Sequence, residues 1–148
     1  MSIIKLTGYE MVMGATAGVL RQVENTKHKA KQKYGADSSN DWQMAIDGAL
    51  GELVLAKHLN LYWCKGDRGS TDVGEHEVRT TRYEEGRLII HPNDKDDKKY
   101  WLIIGSNDTF HVAGWMLGLD AKNEKYWVDP TKNNRAAFFV PQSDLIKE

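Results

Sequence analysis

The chain predicts an α+β fold, an α/β sandwich with N-terminal helices packed on a mixed, mostly antiparallel central β-sheet. Three observations carry this. Apolar residues recur at helical spacing through the first third, and short β-rich runs separated by turn residues fill the remainder. The helices also come before a mostly local series of strands, which argues against regular βαβ repeats. At 148 residues, the simplest organisation is a single domain spanning 1–148 with a sizeable core. A formal net charge of −1 gives no global footprint for nucleic acid, so such a contact must come from a local patch. The single cysteine, Cys64, excludes an intramolecular disulfide and fits a reducing compartment. The opening "MSIIKLTGYE" lacks the apolar core of a signal peptide, and no segment approaches a membrane span. The expectation is a soluble cytoplasmic protein with no membrane partner.

Thr7 and Glu10 form a capping-box pattern that opens the first helix. Val12, Ala15, Val19, Val23, Ala30 and Tyr34 then recur at helical spacing, and Gly35 ends it. Lys27, Lys29, Lys31 and Lys33 occupy its second half. Two readings fit them, a solvated helix end that suits the negative pole of the dipole, or a patch meeting phosphates through Lys27 and Lys31.

A second helix is predicted from Asn40, with a capping-box pattern to Gln43, through "DWQMAIDGALGELVLAKHL". At about 100° per residue, Gln43, Asp47, Lys57 and His58 share one side. Glu52 projects to the other, among Ala45, Gly48, Ala49, Leu55, Ala56 and Leu59. Leu50 and Val54 interrupt the polar side, so most of the circumference is apolar. A carboxylate on the packed face is costly unless something positive meets it. Glu52 is therefore either functional or held in a structural ion pair. Gly48, Ala49 and Gly51 are small enough for close approach to a sheet.

The stretch "GSTDVGEHEVRTTR" raises the central question. Gly74-Glu75 has glycine first, which suits a two-residue type II′ hairpin turn. In that register Val73 faces His76 and Asp72 faces Glu77, with Cβ atoms roughly 4.5–5.5 Å apart. Two opposed carboxylates repel unless a cation lies between them, and Arg79, returning to the same face, or a metal ion could serve. The loop "CKGDRGS" before Asp72 reads either as substrate entry, with Lys65 and Arg68 meeting phosphate, or as a plain connection.

Further strands follow at "EVRTTR", which pairs back toward Asp72, and at "RLIIH", "YWLIIG", "FHVAGWMLG", "KYWVD" and "AAFFV". Gly114 marks a bulge, and Pro141 ends the last strand before a short terminal helix in "PQSDLIKE". "PNDKDDKK" reads as a solvated connection. His28, His58, His76, His91 and His111 show no zinc-like spacing, and no phosphate-binding P-loop or Ser-His-Asp set occurs. The five tryptophans suit the core, or stacking on bases.

"GALGELVLAKHL", then an Asp, then Glu-Val-Arg on the next strand resemble the core of the PD-(D/E)XK nuclease superfamily, with the restriction-endonuclease-like fold. The likeness covers Asn40 to about His91 and reaches more weakly to "FFVPQSDL". Short chains with "EVRTTR" before a "LII" strand also look like small phage-encoded members, which implies the host-cell cytoplasm. In that family the helix Glu, the Asp and the Glu hold one or two Mg²⁺ ions and a Lys assists the attacking water. The resemblance implies metal ligands at Asp72, Glu77 and Glu52, with Mn²⁺ as a substitute ion. It places Arg79 where the catalytic Lys belongs and Thr71 where a Pro is usual. Arginine stays protonated, so Arg79 can orient water or balance charge but cannot accept a proton.

The expected function is therefore Mg²⁺-dependent hydrolysis of phosphodiester bonds in DNA, with Glu52, Asp72, Glu77 and Arg79 catalytic. The alternative is a catalytically silent protein of the same fold that binds nucleic acid or a host protein. A small structural or regulatory protein with no nucleic-acid partner is a third reading. A homodimer is a further expected partner state.

Overall fold

The computed structural model describes residues 2–28, 40–64, 71–129 and 136–147. Strand β1 (Ser2–Lys5) leads into helix α1 (Gly8–Lys27), and helix α2 (Asp41–Leu59) follows. Then come β2 (His76–Thr81), β3 (Leu88–Ile90), β4 (Lys99–Ser106) and β5 (Thr109–Leu117). A short helix α3 (Gly118–Ala121) and the strands β6 (Trp127–Val128) and β7 (Ala137–Val140) complete the set.

The expected α+β architecture is present, with the strands divided between two sheets. One has the order β1-β5-β4-β2 and the other β3-β7-β6. The helices pack on one face of the first sheet, where Ala49, Leu53 and Val54 meet Val78, Trp101, Ile103 and Phe110. Its opposite face, carrying Tyr100, Leu102 and Ile104, packs on Leu88, Ile90 and Val140 of the second sheet. Alternation along β4 therefore feeds two cores, which is why that strand is apolar at consecutive positions.

The capping box at the start of α1 forms as expected: the Thr7 amide donates to Glu10 Oε1 at 2.7 Å, and the Glu10 amide donates to Thr7 Oγ1 at 3.2 Å. The rest of that reading is corrected. α1 closes at Lys27 with His28 as its cap, short of Gly35. Ala30, Tyr34 and Gly35 lie outside the described residues. Its packed face is Gly14, Ala17, Gly18 and Gln22, whereas Val12, Val19 and Val23 are exposed. Small residues win because α1 lies so close to α2 that a Cβ on Gly18 would sit 2.5 Å from Ile46 Cα. The capping box foreseen at Asn40 and Gln43 does not form either: Gln43 donates to Asp47 Oδ1 at 2.7 Å, one turn along α2.

β2 pairs back toward Asp72 only through the Val73–His76 bridge. Its full-length partner is β4, in parallel, with Glu77 beside Tyr100 and Arg79 beside Leu102. Between them the chain leaves the sheet to make β3, whose partner is β7. The bulge at Gly114 is present, since Leu102 pairs with Gly114 and Ile103 with Val112. "PNDKDDKK" is mostly exposed, as a solvated connection should be, with Asp94 binding Arg79 and the His91 amide and the Lys95 amide donating to the Tyr100 hydroxyl at 2.9 Å. The terminal helix is a single 3₁₀ turn, Gln142–Asp144. Among the described residues, no helix is long and apolar enough to cross a membrane.

Candidate active site

The turn at Gly74-Glu75 has the expected form. Val73 and His76 exchange both backbone hydrogen bonds, at 2.7 and 3.1 Å. Gly74 has φ +53°, and Glu75 is not among the positive-φ residues, which suits a type II′ turn. The turn sits at the start of β2, the outer strand of the first sheet. Thr71 closes the approach by donating from its hydroxyl to the Gly74 carbonyl.

Asp72 and Glu77 meet across this turn. Asp72 Oδ2 accepts from the Val78 amide at 2.8 Å, which fixes the Asp72 carboxyl beside β2. Burial pushes the Glu77 carboxyl up to about 7, helped by the Asp72 charge and a hydrogen bond between the two groups. Arg79 and Lys98 oppose that rise. Lys98 was not singled out in the sequence, because it lies 21 residues beyond Glu77 in a charged connection. The parallel pairing of β2 with β4 brings it to the same end of the sheet.

Glu52 is buried as its helical position requires, at 6% exposure. The cation that meets it is Arg21 of α1, whose two terminal nitrogens donate to Glu52 Oε1 and Oε2, each at 2.7 Å. Trp63 adds its indole N–H to Glu52 Oε1 at 3.3 Å. Burial pushes the Glu52 carboxyl up, and the nearby Asp72 charge adds to this, while Arg21 and Trp63 pull it down. Arg21 also feels the Asp72 charge, so the Asp72 carboxylate acts on Glu77 and on both members of the Arg21–Glu52 pair. Nothing local in the sequence marks Arg21 as the partner of a residue 31 positions away.

Arg79 is not the cation wedged between Asp72 and Glu77. Its Nη2 donates to Asp94 Oδ2 at 2.9 Å and its Nε to the Ile89 carbonyl at 3.3 Å, with the guanidinium over the Tyr100 ring. It reaches Glu77 only through its field. Arg82, farther along the same strand-to-turn segment, donates to both Asp47 oxygens of α2.

No family model, curated protein or solved structure matches the chain. The site must be read from its own residues.

Among those described, no group of three or more His, Cys, Asp or Glu side chains is arranged to hold a metal ion. Both Glu52 carboxylate oxygens accept from Arg21. His76 points away from the pair, accepting at Nδ1 from the Trp101 indole at 3.1 Å. Lys27 lies beside Glu24 at the end of α1, whereas Lys31, Lys65 and Arg68 fall outside the described residues.

Proposed function

We propose that the chain is a Mg²⁺-dependent phosphodiesterase acting on DNA, with Asp72 and Glu77 as the residues that would hold the ion. The observation that carries this reading is the opposed carboxyl pair. One member is held protonated to about pH 7 by burial and its neighbour, in an otherwise buildable turn. Such a pair gains when a divalent cation replaces the shared proton. The donor chemistry fits a hard ion, because Mg²⁺ commonly takes one or two carboxylates and completes its shell with water and substrate phosphate. When bound, the ion would activate water and neutralise charge on the scissile phosphate.

The remaining residues act through position. The Val78 amide orients Asp72. Arg21 holds the Glu52 carboxylate and adds positive charge on the Asp72 side. Lys98 and Arg79 put positive charge on the Glu77 side, which favours ionised Glu77 and would draw a phosphate toward the pair. A silent binding protein is the second reading, favoured by the engagement of Arg79 with Asp94 and Ile89.

The test is cleavage of single-stranded, duplex and branched DNA with Mg²⁺ or Mn²⁺. Asp72→Asn and Glu77→Gln should each abolish cleavage while the protein stays folded, and Glu52→Gln should weaken it less. Cleavage that persists in Asp72→Asn sinks the site. An inactive native protein that still binds DNA selects the silent reading.

A further inference from the structure

Helix α1 is apolar on both sides, and α2 covers only one of them. Taking Gly14 as the centre of the covered side, the opposite side at about 100° per residue carries Tyr9, Val12, Met13, Thr16, Val19, Leu20 and Val23. All seven are exposed, Tyr9 at 91%, Val12 at 66% and Leu20 at 57%. The charges of this stretch are turned elsewhere: Glu10 bonds Lys57, and Arg21 bonds Glu52. An uncharged, four-turn apolar face of this kind marks an interaction surface.

The face is symmetric under reversal. Counting outward from Thr16, Val19 mirrors Met13, Leu20 mirrors Val12, and Val23 mirrors Tyr9. Two copies of α1 laid antiparallel with a two-fold axis at Thr16 would thus place every apolar residue against another, with the small threonine at the crossing. A two-fold interface must be self-complementary, whereas a foreign partner or a lipid surface makes no such demand. Interfacial lipid-binding helices also carry Lys or Arg along their polar margins, and from Tyr9 to Val23 the only basic residue is Arg21, which is spent on Glu52. The six large side chains expose on the order of 600 Å² per copy, which reaches the lower range of specific interfaces at about 1,200 Å² in total.

We infer that α1 is the interface of a homodimer, paired antiparallel with α1 of a second copy about a two-fold axis at Thr16. Sedimentation velocity of the full chain from about 1 to 100 μM should show a species of twice the 16.8 kDa chain mass. Val12→Glu combined with Leu20→Glu should raise the dissociation constant at least about tenfold while the circular dichroism stays native. In a Cys64→Ser background, Thr16→Cys should oxidise to a disulfide-linked dimer and Lys27→Cys should not. A monomeric mass at the highest concentration overturns the inference. So does a dimer that survives both glutamates, or one that cross-links through Cys at position 27 and not at 16.

Discussion

The Asp72 and Glu77 carboxyl groups face each other across the Gly74-Glu75 turn and share a hydrogen bond, so one proton stands in for a counter-ion. This relationship can be read out in stability without any assay of activity. The folded-state value of Glu77 lies near 7, above its ordinary 4.5. A carboxyl raised in this way stabilises the fold below the unfolded value, and that contribution is lost as pH rises through about 7. The melting temperature of the metal-free protein should therefore fall between about pH 4.5 and pH 7, the window those two values set. Discounted for the half-exposed position of Glu77, the loss is on the order of 1 kcal/mol. Glu77→Gln should flatten the decline and be the more stable protein at pH 8. A parallel decline in both proteins would mean that another group is responsible.

A divalent cation at the pair should act in the same direction as the proton. On the proposed reading, millimolar Mn²⁺ raises the melting temperature of the native chain at pH 8 by a few degrees, the effect of about 1–2 kcal/mol of binding. Asp72→Asn should raise the metal-free melting temperature and remove most of the metal response. Thermal scans of the two proteins in EDTA and in Mn²⁺ decide this. A native protein indifferent to metal would reduce the turn to a structural feature.

The Arg21–Glu52 pair predicts a strong asymmetry. Arg21→Met strands a buried carboxylate and should cost about 3–5 kcal/mol, as breaking one side of a buried pair does. Arg21→Met combined with Glu52→Leu should recover most of that loss, because similar-volume apolar residues replace buried pairs well. Urea unfolding of the two variants measures the difference, and an equal loss in both would show that the pair itself contributes net stability.

Gly51 supplies a steric prediction. A Cβ there would lie 1.9 Å from Thr80 Oγ1 on β2, so Gly51→Ala forces α2 away from the sheet. Alanine favours a helix by about 1 kcal/mol, yet overpacking at this distance should win and destabilise by about 1–3 kcal/mol. Adding Thr80→Ala should restore part of the loss, since the Thr80 hydroxyl has no hydrogen-bond partner among the described residues. A more stable Gly51→Ala protein would mean that the helix has room to shift.

What the sequence revealed was mostly local. The Thr7–Glu10 box, the Gly74 turn and the inward aim of Glu52 each rest on residues a few positions apart, and all three appear. What it concealed depends on long-range pairing. Arg21 reaches Glu52 across two helices, Lys98 reaches Glu77 through a parallel strand pair, and Asp94 takes the guanidinium of Arg79. Helical spacing along α1 leaves open which apolar residues pack inward, because α1 has two apolar faces.

The placement of β3 has a consequence for how the polypeptide reaches its final state. Leu88 pairs with Val140 and Ile90 with Phe138, roughly fifty positions later. Until β7 is available, the face of β4 that carries Leu102 and Ile104 has no complete cover. Closing such a long loop makes this a slow, late step in folding. A chain shortened ahead of Ala137 should therefore collapse onto α2 while leaving its second core open, sticky and prone to chaperone capture.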